Sequence, residues 1–499
     1  MKKRIVSVLT AAALVMGLAA AASAEESMNT EISAAVTSEY TVTIPVSIDA
    51  GTLSPEDFKP GEWDSEEYGV APDDIRPAAE INFDIRVDGI LADNQFVEIT
   101  TQKEVKLEDA AGGEAISAHI YPYERAFEGT GAKSGTVTLY QDEIHPGTFS
   151  GSTTFDIGLV TYKPDSGVKF GLGCWTFTWN NSGELQNYTT WEERLDYAKA
   201  AGYEAIGFNT ELPSDQYAYT VENGMGMGEV QGTTDAAALA ALDRELTEAG
   251  VDYETFKVSF PAEAVGGKEA TAENVNADYA AYWNARVQRA VDFNIALNEA
   301  GGINGFCTVE CEPMGNSPFQ SAVETALFVA DVARRTEAAG YTNYIKHCLD
   351  LGHTYSYLTM GLGGYTQAAA LEYFAGDEWA SSYFAEQSWT GGAVKAPETV
   401  EQYMELCKGQ VKSIEFWDNN HSTFMDGGAS GSHYGFGQGR IDYNAYMDAL
   451  MNIADFDGEF WIAEFFSNET VDAGEIGRRV SEAPSMMREW ELLYAVERL

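Results

Sequence analysis

Basic residues are scarce in this chain. Lysine and arginine number 30 against 78 acidic residues, leaving a formal charge of −48 over 499 residues. A surface so negative repels phosphate backbones and anionic membranes, which argues against duplex nucleic acid as a partner. Cysteine is also sparse and odd in number: Cys174, Cys307, Cys311, Cys348 and Cys407. Most of these lie within hydrophobic runs, which favours buried free thiols over a disulfide framework. Beyond the first residues, no stretch approaches the ~20 apolar residues that a membrane helix requires, so no membrane insertion is expected. The Gly-rich GFGQG has neither the spacing nor the following Lys-Ser/Thr of a phosphate loop.

The one long apolar stretch opens the chain. It has a Lys2-Lys3-Arg4 head, an apolar middle and an Ala22-Ser23-Ala24 exit. This reads as a bacterial secretory signal peptide over 1–24, with cleavage before Glu25. No cysteine follows that point, which argues against lipid anchoring, so a secreted or cell-surface protein is expected.

Two domains follow from the rhythm of the text. Over 25–162, runs such as EYTVTIPVSIDAG, INFDIRVDGIL and GTVTLYQDEI alternate apolar and polar residues between Gly, Pro and Asp breakers. That pattern predicts an N-terminal all-β sandwich. TVTIP and GTFSGSTTFDI resemble β-sandwich modules of Gram-positive surface and secreted proteins. The isolated His119 and His145 are expected to be structural or superficial. TYKPDSG reads as a linker. Over 168–499, strand and helix patterns alternate, which predicts a parallel (β/α)8 TIM barrel. Seven strands are clear. The eighth is expected between Phe260 and Gly305.

In the barrel, short apolar runs end abruptly in acids or histidines. They are Glu312 in FCTVECEPM, Asp350 and His353 in IKHCLDLGHTY, Glu415 and Asp418 in VKSIEFWDNN, His433 in GSHYGFGQGRIDY, and Glu464 in EFWIAEFF. Strand ends that deliver polar groups to one rim are where such barrels keep their chemistry. Blander roles compete. Asp350 could simply cap the helix that carries His353, and His433 could organise its Gly-rich turn. His347 and His421 are expected to be a strand residue and a loop residue. Glu310 competes with Glu312, because alternate strand residues point the same way; the Pro that follows favours Glu312.

AKAAGYEAIGF, VECEPM, LDLGH, IEFWDNN, HYGFGQGRIDYNAYMDAL and FDGEFWIAEFF occur in that order. Together they resemble the xylose-isomerase-like barrels, which include sugar isomerases and epimerases, inosose dehydratases and apurinic-site endonucleases. The resemblance implies one divalent metal held by Glu312, Asp350, Glu415 and Glu464, with Glu312 and Glu464 exchanging protons with a small carbohydrate. It further implies His353, Asp418, His433 and Trp175 (or Trp179) as substrate contacts. Glu415 stands where a histidine is usual, so the metal site is either carboxylate-only or altered. Four carboxylates favour Mg²⁺, Mn²⁺ or Ca²⁺ over Zn²⁺. The expected activity is a sugar or polyol isomerase or epimerase. The alternatives are a lyase using the same proton abstraction and a non-catalytic carbohydrate-binding surface protein. The endonuclease chemistry fits least, because six histidines are too few for it.

Overall fold

The structure is a computed structural model. It describes residues 38–53, 77–140, 143–173, 175–178, 187–188, 190–209, 236–258, 260, 272–313, 319, 321–360, 364–387, 391–419, 435–437, 439–465 and 473–499. The chain forms two compact units that divide between Pro164 and Asp165, and residues 496–499 belong with the first.

The first unit carries β1 (Glu39–Thr43), β2 (Pro77–Ile90), β3 (Gln95–Thr100), β4 (Glu104–Asp109), β5 (Ile116–Tyr121), β6 (Glu124–Phe127), β7 (Gly131–Tyr140), β8 (Phe149–Ser150) and β9 (Asp156–Thr161). They pair as a six-stranded sheet, β1-β2-β7-β5-β4-β8, and a three-stranded sheet, β6-β3-β9. Phe83, Ile85 and Val87 of the larger sheet share a core with Val97, Ile99 and Phe127 of the smaller. Leu499 donates its backbone N–H to the Thr161 carbonyl at 2.9 Å, and the Arg498 guanidinium pairs with Glu98 at 2.6 Å.

The second unit is a closed parallel barrel of β10 (Lys169–Leu172), β11 (Ala205–Asn209), β12 (Tyr253–Lys257), β13 (Cys307–Glu310), β14 (Ile345–Asp350), β15 (Val411–Phe416) and β16 (Phe460–Ala463). These strands are short and buried on both faces, so they read as near-continuous apolar runs rather than alternating ones. Closure is completed by β10 pairing with β16. The expected eighth strand is not part of the ring: β12 pairs directly with β13, Phe256 opposite Cys307. Among the described residues between them, the chain is helical over Ala272–Ala277 and Tyr279–Glu299.

Helices start where capping residues stand. Asp278 accepts from Ala281 N at 3.3 Å and Ser321 from Glu324 N at 3.3 Å, opening the helices Tyr279–Glu299 and Ala322–Ala338. Among the described residues of the 359–397 segment, two helices, Gly364–Phe374 and Glu378–Ala385, follow the helix that ends at Met360. Phe374 and Tyr373 pack on Trp283 and Tyr279 of the long outer helix, at 4.8 and 5.3 Å between ring centroids. Cys307, Cys311, Cys348 and Cys407 are buried free thiols. Among the described residues, no helix is long and apolar enough to cross a membrane.

One buried ion pair ties this outer layer to the barrel. Arg286 pairs with Glu324, donates from Nε to the Phe260 carbonyl at 2.8 Å, and stacks 4.1 Å from the Phe319 ring centroid. Removing one member of such a pair strands the other charge away from water. Arg286→Met should therefore destabilise the chain by about 3–5 kcal/mol. Combining it with Glu324→Gln should recover much of that loss, as read from denaturant midpoints.

Candidate active site at the barrel mouth

The C-terminal ends of five consecutive strands or their continuations converge on one set of charges. Lys257 ends β12, Glu310 ends β13 and Asp350 ends β14; Glu415 lies one residue inside the end of β15, and Glu464 follows β16 by one. Parallel register aligns them: Glu310 lies opposite Cys348, and Asp350 opposite Glu415. All four carboxyl residues are buried. The Lys257 ammonium reaches between two of them, 2.7 Å from Glu310 Oε2 and 2.5 Å from Glu415 Oε2.

Asp350 does two jobs. Its Oδ1 accepts the His353 backbone N–H at 2.8 Å, capping the helix Leu351–Met360. Its Oδ2 accepts the Trp417 indole N–H at 2.5 Å. Capping and participation in the site, which the sequence posed as alternatives, therefore coexist. The Trp417 ring lies so close to Gly352 that a Cβ there would meet it at 2.2 Å. The His353 ring meets Trp417 edge-on, and its Nε2 lies 3.7 Å from both Glu310 Oε1 and Asp350 Oδ2.

Crowding acids away from water sets their protonation. Burial, reinforced by the neighbouring acids, pushes Glu310 and Asp350 up to about 7, against the pull of Lys257. Glu415 rises to about 7 for the same first reason, with Lys257 opposing and Glu310 adding to the shift. Glu464 is held well above the usual carboxylate range by burial and by Glu415. Burial opposes the Lys257 charge, but Glu310, Glu415 and Glu464 outweigh it and hold its pKa well above the ordinary value. Burial lowers His353 to about 4, so its imidazole is neutral at pH 7 and can serve as a ligand.

The set fits a cation. Three groupings place one ligand atom per residue within 4.8 Å of the others: Glu310–Asp350–His353, Glu310–Cys348–Glu415 and Asp350–Glu415–Glu464. Among the described residues, buried Glu310 Oε1 has no hydrogen-bond partner. With one ammonium facing four carboxyl groups, an oxygen-rich site for a hard divalent ion is the natural complement.

The structure brings together Asp350, His353, Glu415 and Glu464 of the expected residues. Of the competing pair, Glu310 enters the cluster. Glu312 lies past the end of β13, half-buried, with its backbone N–H on the Phe319 carbonyl at 2.8 Å. The reason is where the strand stops: residue 310 is still paired in the sheet, whereas by 312 the chain has turned toward Phe319. Asp418 is buried beside the site, and its carboxylate accepts backbone N–H groups of Asn419, Gly437 and Ile441 at 2.9, 2.8 and 3.2 Å. It thereby holds the return of the Gly-rich segment. Trp175 begins the short helix Trp175–Thr178. His433, His421 and Trp179 lie outside the described residues. Lys257 was not anticipated. DYETFKVSF continues past the lysine with Val258, so no apolar run visibly stops there; only the strand's end at Lys257 places it at the rim, and a cation was not sought among acids.

These features define a parallel barrel with an acid-lined site at its C-terminal mouth. No family model and no curated protein sequence matches the chain. Solved structures similar to it include the apo form of a 3-keto-D-glucoside 4-epimerase from E. coli, 10% identical, covering 64% of this chain and 99% of that one, TM-score 0.31. A xylose isomerase domain protein from Planctomyces limnophilus is 11% identical, covering 60% of this chain and 93% of that one, TM-score 0.31. A β-mannanase from Bacteroides ovatus is also similar, at 11% identity, covering 64% and 88%, TM-score 0.29.

The raised acids fix a pH signature. From pH 6.5 to about 8, folded Glu310, Asp350 and Glu415 retain protons that the unfolded chain has released, so stability falls as pH rises. Buried His347 and His353, both lowered to about 4, act in the opposite sense only between about 4 and 6.5. In the presence of a chelator, the melting temperature should drop across the upper window. Added Mn²⁺ should raise it more at pH 8 than at pH 6.5, since binding requires ionised ligands. A melting temperature that climbs with pH in chelator would contradict this assignment.

Proposed function

We propose that this chain is an exported isomerase or epimerase acting on a small sugar or polyol at the barrel mouth, with an appended β-sandwich module. The observation that carries the reading is the convergence of Glu310, Asp350, Glu415 and Glu464 in one buried cluster, with two or more of them titrating near neutrality. Moving a proton next to a carbonyl requires a base, an acid and positive charge for the enediolate oxygen. Carboxyl groups poised near pH 7 suit the first two roles, because they take and return a proton with little penalty.

In this reading, Glu310 Oε1, which has no hydrogen-bond partner among the described residues, takes the proton from the carbon beside the carbonyl. Glu464, which follows β16 and whose burial favours the neutral carboxyl over the carboxylate, exchanges a proton on the other side of the substrate, with no ion bound to it directly. Lys257 holds Glu310 and Glu415 in place. His353, neutral and buried, orients a substrate hydroxyl. Asp350 and Glu415 would then hold a hard divalent ion (Mg²⁺, Mn²⁺ or Ca²⁺), whose chemistry there is Lewis acidity toward the carbonyl oxygen. The sandwich reading of the N-terminal unit is supported by the single core that its two sheets share.

The decisive experiment incubates the full chain with Mn²⁺ and a panel of aldoses, ketoses and keto-glycosides in heavy water. Deuterium should appear at the carbon next to the carbonyl, and Glu464→Gln should slow that exchange by about 10²-fold or more. An unsaturated product would instead point to elimination. Exchange that is unaffected by Glu464→Gln, or absent for the whole panel, would sink the proposal.

A further inference from the structure

The three groupings that could each share a cation overlap, and one is already served. The Glu310–Cys348–Glu415 set includes both carboxylates that the Lys257 ammonium contacts, at 2.7 and 2.5 Å. The Asp350–Glu415–Glu464 set leaves out Glu310 and shares Glu415 with the ammonium's pair of carboxylates, and the Lys257 charge also acts on Glu464. Three overlapping cation positions are thus laid out in one pocket: Glu310 or Glu415 enters each, and the two other than Glu310–Cys348–Glu415 share Asp350. Among the described residues, buried Glu310 Oε1 has no hydrogen-bond partner, and it lies 3.7 Å from His353 Nε2.

We propose that Lys257 is a tethered cation that permanently fills the Glu310–Cys348–Glu415 position, restricting the pocket to a single divalent ion on the side of Asp350, which the two other groupings share. Paired divalent ions in enzymes sit side by side, bridged by shared carboxylates. Here an ammonium supplied by the end of β12 takes the place of one of them. An ammonium is a compact point charge, so it satisfies two carboxylates without demanding a coordination sphere. It also repels a second dication a few ångströms away. The inference rests on the reading of this cluster as a metal site.

The test titrates the full chain with Mn²⁺, using calorimetry for affinity and stoichiometry and electron paramagnetic resonance for coupling between neighbouring ions. The wild type should take one ion. Lys257→Met should either admit a second, spin-coupled ion or bind the first at least about tenfold more tightly, since a positive charge has been removed from a buried acidic site. Unchanged or weaker binding in Lys257→Met, with stoichiometry still one, would overturn the inference while leaving the metal reading intact. If the wild type takes no ion but Lys257→Met does, the single-ion inference and the metal reading of the natural site both fail. If neither binds, both fail. Lys257→Gln, which keeps a hydrogen-bond donor of neutral charge, replaces the Met variant if that one does not fold.

Discussion

Burying Glu310, Asp350, Glu415 and Glu464 side by side is costly, because each gives up water and gains neighbours of its own sign. Much of the surrounding architecture offsets that cost. The Lys257 ammonium lies between two of the acids. A helix start and an indole N–H together satisfy a third. The strands that carry them belong to a closed ring, so the acids are fixed by backbone ladders and cannot simply swing apart. Even the small residue at Gly352 belongs to this arrangement, since a side chain there would push Trp417 off Asp350.

Support from outside the ring is of a different kind. Arg286 and Glu324 are buried among aromatic rings between two outer helices, and Arg286 also reaches the backbone just beyond β12. That contact lies three residues past Lys257, so the placement of the site's cation is linked to the packing of the outer layer. Asp418 plays a comparable part on the other side. It spends its carboxylate on the backbone of the returning 437–441 segment, which fixes how the chain leaves the mouth.

The barrel and the strand-end logic were legible because a parallel strand buried on both faces is an apolar run, and a charge at its end marks where burial stops. Asp350, His353, Glu415 and Glu464 were found that way. Glu310 against Glu312 was not decidable from period-two alternation, which treats both alike; the answer lies in where pairing with β14 ends. The eighth strand was an expectation carried by the commonest form of the fold, and the direct pairing of β12 with β13 has no local sequence signature. Asp418 reads as a rim residue in one dimension. Only the return of a segment some twenty residues later turns it into a loop anchor. Lys257 shows a narrower blind spot: a search for ligands and bases passes over the counter-charge that lets them share a pocket.

The double employment of Asp350 has an evolutionary side. Asparagine caps a helix about as well as aspartate does, and it is nearly the same size. A single Asp-to-Asn exchange at this position would keep one acceptor for the start of the helix Leu351–Met360, but its amide NH2 would then face the Trp417 indole N–H, donor against donor, and the cluster would lose one of its acids. The position is therefore closed to an exchange that helix starts ordinarily tolerate.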